Sequence, residues 1–450
     1  MDVDESDRMR MIDAVWLEIP QDNAPIAVGA VLEFTGRAPA VSRVQRRIAD
    51  ILPQAQRLRQ VPVHSSTGVL QPKWIDVDVD LDEHVHRRKV TDLSATVSEL
   101  LTTPMSFERP LWEVVVITGY APREWALVWR LHHSVADGEG VTMVIGRTLD
   151  MEPQGGVTLT DWMQAQAVAA HTTDPVTEPS GGSVADRALD TVRGLAERLV
   201  GAAVATPPTV SSLLRLAPAR PTELVGVPSE GRDWRCLHLP LAEVKEAGAA
   251  HGATINDVLM AAVTNGFREV ILAHGDSPDG RVVRAVMPVS LRRSGDTRSN
   301  NQVSMIPVEL PVGVVGARER LAAVVRQTSE GKRSMAPTII SAINDAFGKL
   351  VPAPISEQVV SHGGWAIGWM TDTLVTNVRG PSSPEYFRGQ EVRYLSAVIP
   401  IGARLRTVVG INSYSGSVNV SVTGDAAHAE DNAILLAGIE AGVAELRTSV

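Results

Sequence analysis

The residue types best suited to chemistry in this chain fall in one nine-residue run, "HHSVADGEG", residues 132–140. It offers two adjacent imidazoles, a carboxylate four residues beyond the second, and a glycine directly behind it. A metal site is one reading, since histidine and aspartate are both ligands. Spacing opposes it: neighbouring side chains on an extended segment point to opposite faces, so His132 and His133 do not grip one ion, and His133 with Asp137 supplies only two ligands. A structural reading makes the pair satisfied core histidines. Against it, Ser134 and Ala136 leave room beside a ring, and Gly138 lets backbone approach closely. A third reading is general-base catalysis, because imidazole accepts and returns a proton near neutral pH. His132 would then be the packed, orienting member and His133 would face a cavity. Asp137 would brace the loop through a hydrogen-bonded or arginine-paired carboxylate; direct support of His133 by Asp137 stays open.

Other chemistries lack their residues. A serine hydrolase needs a Gly-x-Ser-x-Gly elbow, and "SYSGS" at residues 413–417 is not one. No Walker motif and no Gly-x-Gly-x-x-Gly is present, which speaks against nucleotide-driven or dinucleotide chemistry. The single cysteine, Cys236, excludes an internal disulfide and a clustered-thiolate metal site. In "RDWRCLHLP" it alternates as a strand residue and reads as a small buried hydrophobe. Direct transfer without a covalent enzyme intermediate is the simplest mechanism left.

The surrounding pattern shows what positions the motif. "MIDAVWLE" has helical spacing, "IAVGAVLEF" reads as a strand, residues 41–59 as a helix, and Trp74 to Leu81 as a half-exposed strand. Leu111 to Ile117 and Trp125 to Leu131 form a hairpin signature. Beyond Gly138 the apolar residues recur at helical spacing, so the motif occupies a strand-to-helix turn. Residues 153–231 are rich in Pro, Gly, Ser and Thr and read as a crossover linker carrying an amphipathic helix near Ala185 to Ala203. Three segments follow: a first half over 1–152 with the motif, the linker over 153–231, and a second half over 232–450 in which strands and helices again alternate.

At 450 residues with 44% hydrophobic and 21% charged residues, the chain is globular and large enough for two halves with a sizeable core. A net charge of −10 excludes nucleic acid as a partner. No stretch reaches the length of a spanning helix, and "MDVDESDRMR" is acidic where a secretory signal is basic, so a cytoplasmic location is expected. The 185–203 helix mixes acidic and basic residues and lacks the basic bias of an interfacial anchor.

The His-His-x-x-x-Asp-Gly turn resembles that of a large acyltransferase superfamily. "DAVWLE", "DVDLDEHVHRRKV" at 78–90, "RPLWE" at 109–113, "TINDVLMAAV" at 254–263, "MPVSLR", "NNQVSM", "TNVRGP" and "SYSGSVNVSVTGD" resemble the bacterial wax ester synthase/diacylglycerol acyltransferase family, nearly end to end. Where that family commonly has Asn-Val-Pro-Gly-Pro, this chain has Asn377, Val378, Arg379, Gly380 and Pro381. The resemblance implies a mixed α/β fold of two chloramphenicol-acetyltransferase-like halves with a central substrate tunnel. It implies that His133 deprotonates the hydroxyl of diacylglycerol or a long-chain alcohol, which attacks the thioester of acyl-CoA. Asn256 is the candidate oxyanion donor. Asp137 is assigned a structural role with Arg292 as its candidate partner across the halves. Pro110, Leu111 and Trp112 are candidates for lining the acyl tunnel, with ordinary core as the competing role of Trp112. Asp257 is ambiguous between a substrate contact and a helix N-terminal residue, the latter first. No cofactor is implied beyond acyl-CoA as cosubstrate; peripheral contact with membrane or lipid droplets is a hypothesis. Two other functions stay in play: a related transferase acting on another hydroxylated or carrier-bound substrate, and a non-catalytic lipid or acyl-CoA binding protein.

Overall fold

The computed structural model describes residues 8–9, 11–18, 26–64, 72–136, 138–158, 224–290, 303–333, 371–402 and 404–449. It is a mixed α/β fold built on two six-stranded sheets. The first sheet is centred on the two most continuously apolar runs, β1 (Ala27–Thr35) and β6 (Glu124–His132), which are buried along almost their whole lengths. A strand apolar on both faces belongs between layers. β5 (Trp112–Thr118) pairs antiparallel with β6 as the hairpin pattern predicts, and β4 (Val85–Lys89) runs parallel to β5 at the edge. Helix α1 (Met11–Glu18) precedes this sheet. α2 (Val41–Ile51) buries Val44, Ile48 and Ile51, and α3 (Leu93–Thr102) is capped by the Asp92 carboxylate accepting from Ala95 N–H at 2.9 Å.

Two boundaries differ from the sequence pattern. The helix expected over 41–59 stops at Ile51, and two 3₁₀ turns follow, the first with Pro53 near its start. Proline supplies no N–H to continue an α-helix. The strand expected to reach Leu81 is only β3 (Lys73–Asp76), because the strand it pairs with, β2 (Gln60–Val63), offers four residues of ladder.

The second sheet runs in the order β7 (Arg232–Pro240), β14 (Ser417–Asp425), β13 (Thr407–Tyr414), β10 (Thr373–Arg379), β8 (Val283–Ser290), β9 (Val303–Leu310). β8 and β10 are tied by a buried ion pair in which Arg284 donates to the Asp372 carboxylate at 2.7 Å. Among the described residues this half carries the helices α5 (Leu241–His251), α6 (Ile255–Ala273), α7 (Ala317–Arg333) and α8 (Ala429–Thr448). α6 and α8 touch through glycine, since a Cβ on Gly438 would lie 2.7 Å from the Gly266 Cα.

Chain order and sheet membership part company late in the sequence. β11 (Tyr386–Phe387) and β12 (Gln390–Val398) belong to the first sheet, where β12 pairs antiparallel with β1 from Gly29↔Val398 to Phe34↔Val392. The halves are thereby laced together. Trp234 Nε1 of β7 donates to the Ala397 carbonyl at 3.1 Å, its backbone N–H to Ser98 Oγ at 2.8 Å, and Asn412 Nδ2 of β13 to the Leu395 carbonyl at 2.7 Å. The crossover linker and the helix expected at 185–203 lie outside the described residues.

Candidate active site

The motif turn is built by backbone pairing on both flanks of β6. His132 N–H donates to the Leu111 carbonyl at 2.9 Å, and His133 N–H to the Ile26 carbonyl at 2.8 Å. The turn closes when Val135 N–H reaches back to the His132 carbonyl, and helix α4 (Gly138–Gly146) starts two residues after Ala136. The strand-to-helix placement read from the sequence is therefore the observed one.

The two rings have different surroundings. His132 is 1% exposed, with Nδ1 2.8 Å from Ser134 Oγ and the Phe107 ring edge-on at 5.8 Å. Ser134 N–H donates to that Nδ1 at 3.3 Å, so Nδ1 is an acceptor and the ring proton sits on Nε2. His133 lies stacked on Trp16 of α1, centroids 4.4 Å apart and planes 25° off parallel. Its Nδ1 is buried with no hydrogen-bond partner among the described residues. Burial pushes both imidazoles down to about 4; the neighbouring His133 adds to the shift at His132, while the backbone carbonyl of His133 itself opposes it at His133. Both rings are neutral at pH 7; His132 has its Nδ1 lone pair engaged by Ser134, so His133 is the ring of the two with a nitrogen left to accept a proton.

The other sequence candidates divide by position. Gly138 is exposed, and a Cβ there would meet no described atom within 4 Å. Asp137 and Arg292 lie outside the described residues, and so does their pairing. Pro110, Leu111 and Trp112 are buried. Leu111 reaches the turn through its carbonyl, whereas Trp112 donates from Nε1 to the Leu58 carbonyl at 2.9 Å and stacks on buried His84 at 4.2 Å. Trp112 thus has the contacts of a core residue.

At the start of α6, Thr254 and Asp257 form a reciprocal capping box. One Asp257 oxygen accepts from Thr254 and the other from Thr328 Oγ1 at 2.7 Å, so both carboxylate oxygens are occupied inside the protein. Its neighbour Asn256 is only half-buried. Asn256 Oδ1 accepts from Asn377 Nδ2 of β10 at 2.9 Å, which leaves its own amide N–H groups without a hydrogen bond among the described residues. No hydrogen bond joins this asparagine pair to the histidine turn among those residues.

Trp16 and Asn377 are site residues that spacing alone did not single out, although both lie in quoted stretches, "DAVWLE" and "TNVRGP". Their contacts are 117 residues or more away in sequence, so no local pattern reports them. An open cleft of about 530 Å³, lined by Arg43, Arg46, Arg47 and Arg388 among others, shares no residue with the histidine turn.

Comparison with known proteins identifies the family. Residues 9–259 match the wax ester synthase/diacylglycerol acyltransferase catalytic domain, and residues 299–447 match the C-terminal domain of the same family. A relative from Mycobacterium tuberculosis H37Rv, named as a diacylglycerol O-acyltransferase, is 30% identical over 94% of this chain and 91% of its own. The wax ester synthase/diacylglycerol acyltransferase from Marinobacter aquaeolei VT8 superposes with a TM-score of 0.69 at 22% identity, covering 98% of this chain and 99% of the other. A condensation domain of the CDA synthetase shares the fold at a TM-score of 0.57 and 14% identity, over 99% and 97% of the two chains. With both domains matched and the mycobacterial relative aligned along nearly its whole length, the chain belongs to the wax ester synthase/diacylglycerol acyltransferase family and is an acyltransferase enzyme.

Proposed function

We propose that the protein transfers a long-chain acyl group from acyl-CoA to the hydroxyl of diacylglycerol or of a long-chain alcohol, in one step, with His133 as general base. The observation that carries this reading is the His133 ring: neutral at working pH, fixed by Trp16 on one face, and tied by its backbone to the end of a buried strand. With Nδ1 enclosed, Nε2 is the nitrogen left to take the hydroxyl proton. The alkoxide attacks the thioester carbonyl, and the tetrahedral oxyanion draws on the free amide of Asn256, whose oxygen Asn377 holds away. Collapse expels the CoA thiolate, and His133 returns its proton to it. A substrate tunnel between the halves, and contact with a membrane or lipid droplet from which such substrates come, belong to the same reading.

The test is thiol release from palmitoyl-CoA with diolein or hexadecanol as acceptor, native against His133→Ala, with folding of both checked by circular dichroism. Acceptor-dependent release reduced about 10²–10⁴-fold in the variant supports the base role and tells which ester is made. Equal release from the two proteins removes His133 from the mechanism. Thioester binding without release by folded native protein would replace the transferase reading with a binding role.

A further inference from the structure

Three side chains of metal-ligand type meet where the two sheets adjoin, away from the histidine turn. Glu33 comes from β1, and Cys236 and His238 from β7, two residues apart and hence on one face of that strand. His238 Nε2 lies 3.2 Å from Glu33 Oε1 and 3.8 Å from Cys236 Sγ, and the three donor atoms all fall within 4.8 Å of one another. Zinc with bonds of about 2.0–2.3 Å to nitrogen, oxygen and sulfur sets tetrahedral ligand atoms roughly 3.4–3.6 Å apart. The observed spacing brackets that figure.

A second observation concerns the far side of the imidazole. His238 Nδ1 sits 2.8 Å from Asn419 Oδ1, its cross-strand partner on β14, and an amide oxygen only accepts. Nε2, opposite the acceptor-only Glu33 carboxylate, carries a proton until a metal displaces it, and the contact with Asn419 holds the Nδ1 proton in place. This is the outer contact that metal-binding histidines make. The ring is also laid flat on Tyr394 of β12, centroids 3.8 Å apart and planes 2° from parallel, so its direction is set before any ion arrives. Charge balances as well: a thiolate and a carboxylate neutralise a dication in a partly enclosed site, where the side chains of Glu33 and His238 are 14% and 21% exposed.

We propose that Glu33, Cys236 and His238 form a zinc site that ties the first sheet to the second, with Asn419 as the positioning residue of His238 and one coordination position left open. The mixed sulfur, nitrogen and oxygen donor set in tetrahedral spacing selects zinc over calcium or magnesium, which take oxygen ligands in larger number. Binding releases the Cys236 thiol proton and the His238 Nε2 proton to solvent as the Zn–S and Zn–N bonds form, and no oxidant or reductant takes part.

The full chain, stripped with chelator and dialysed, is titrated with Zn²⁺ and separately with Co²⁺, while circular dichroism follows folding. The expected result is one equivalent bound per chain. The Co²⁺ form should show a thiolate charge-transfer band together with the intense visible bands of tetrahedral cobalt. Cys236→Ser should abolish the charge-transfer band, and Glu33→Gln should weaken uptake. Asn419→Leu should weaken zinc binding about 10- to 100-fold, whereas Asn419→Asp, which keeps an acceptor at Nδ1, should bind as the native protein does. No stoichiometric uptake by folded native protein would overturn the proposal, and so would a Co²⁺ spectrum unchanged in Cys236→Ser.

Discussion

At His133, the burial that lowers the ring to about 4 also sets how the enzyme responds to acid. If this ring is the base, the acid limb of kcat/KM is centred near pH 4, well below the 6.5 of an ordinary imidazole. A rate profile between pH 3.5 and 8, with folding verified at each point, checks it; a limb centred on 6.5 contradicts the assignment. The same burial makes the unfolded chain the better proton binder between about 4 and 6.5 at both His132 and His133. Their neutral rings therefore favour the fold fully above pH 6.5, and this contribution is lost as pH falls through 4. Asn256 gives a separate test. Removing one oxyanion donor typically costs about 2.7–4 kcal/mol of transition-state stabilisation, so Asn256→Ala should lower kcat about 10²–10³-fold. Asn377→Ala should lower it less, because Asn377 acts by orienting Asn256. Comparable kcat in Asn256→Ala and native protein would leave the oxyanion without this donor.

At the scale of elements, the histidine turn depends on β6 lying between β1 and β5, and Asn256 depends on where α6 begins. That helix start is doubly fixed, by the capping box at Thr254 and by Thr328 of α7, whose hydroxyl donates to Asp257. The α6–α8 crossing has no room for a methyl group: at Gly438 a Cβ would press on the Gly266 backbone, which has no side chain to yield. Gly438→Ala is therefore expected to destabilise the fold by about 1–3 kcal/mol, read as a lower midpoint in urea unfolding. An unchanged midpoint would show that the two helices separate at no cost. The hairpin and the strand-to-helix turn were legible in the sequence, because alternation and helical periodicity are local properties. The early ends of α2 and β3 were less so: apolar spacing continues past Pro53, and the alternation from Trp74 outlasts the four-residue ladder that β2 provides.

Across the whole molecule, the chain re-enters the first sheet through β11 and β12, and the junction before them holds a buried carboxylic acid. Glu385 is 3% exposed, its backbone N–H donates to Tyr414 Oη at 2.8 Å, and its Oε1 has no hydrogen-bond partner among the described residues. Burial raises its pKa to about 7. Its folded pKa lies above the unfolded 4.5, so this group favours the fold fully below about 4.5 and loses that contribution as pH rises through 7, opposite in sign to the two histidines. Glu385→Gln replaces the neutral acid by a neutral amide of the same shape. It should raise stability at pH 8, on the order of 2–3 kcal/mol at most, and change it little at pH 5. Denaturant unfolding at the two pH values decides; a gain of equal size at both would mean that the carboxylate charge is not the cause.

The sequence by itself determined the site's centre and its local frame. Two histidines at the end of a largely apolar strand, a helix starting at Gly138, and the run of motifs through "TINDVLMAAV" together point to the family. Periodicity and residue chemistry are written in neighbouring residues, so they can be read without coordinates. Only the tertiary structure decided what packs against those residues. It set Trp16 on His133, Asn377 on Asn256, Thr328 on Asp257, and Glu33 with Asn419 around His238. It also turned Cys236, by pattern a small hydrophobe, into one member of a ligand cluster, and sent β12 into the sheet of the other half. Each is a contact between segments far apart in the chain, fixed by the burial and register of whole sheets, which no window of neighbouring residues contains.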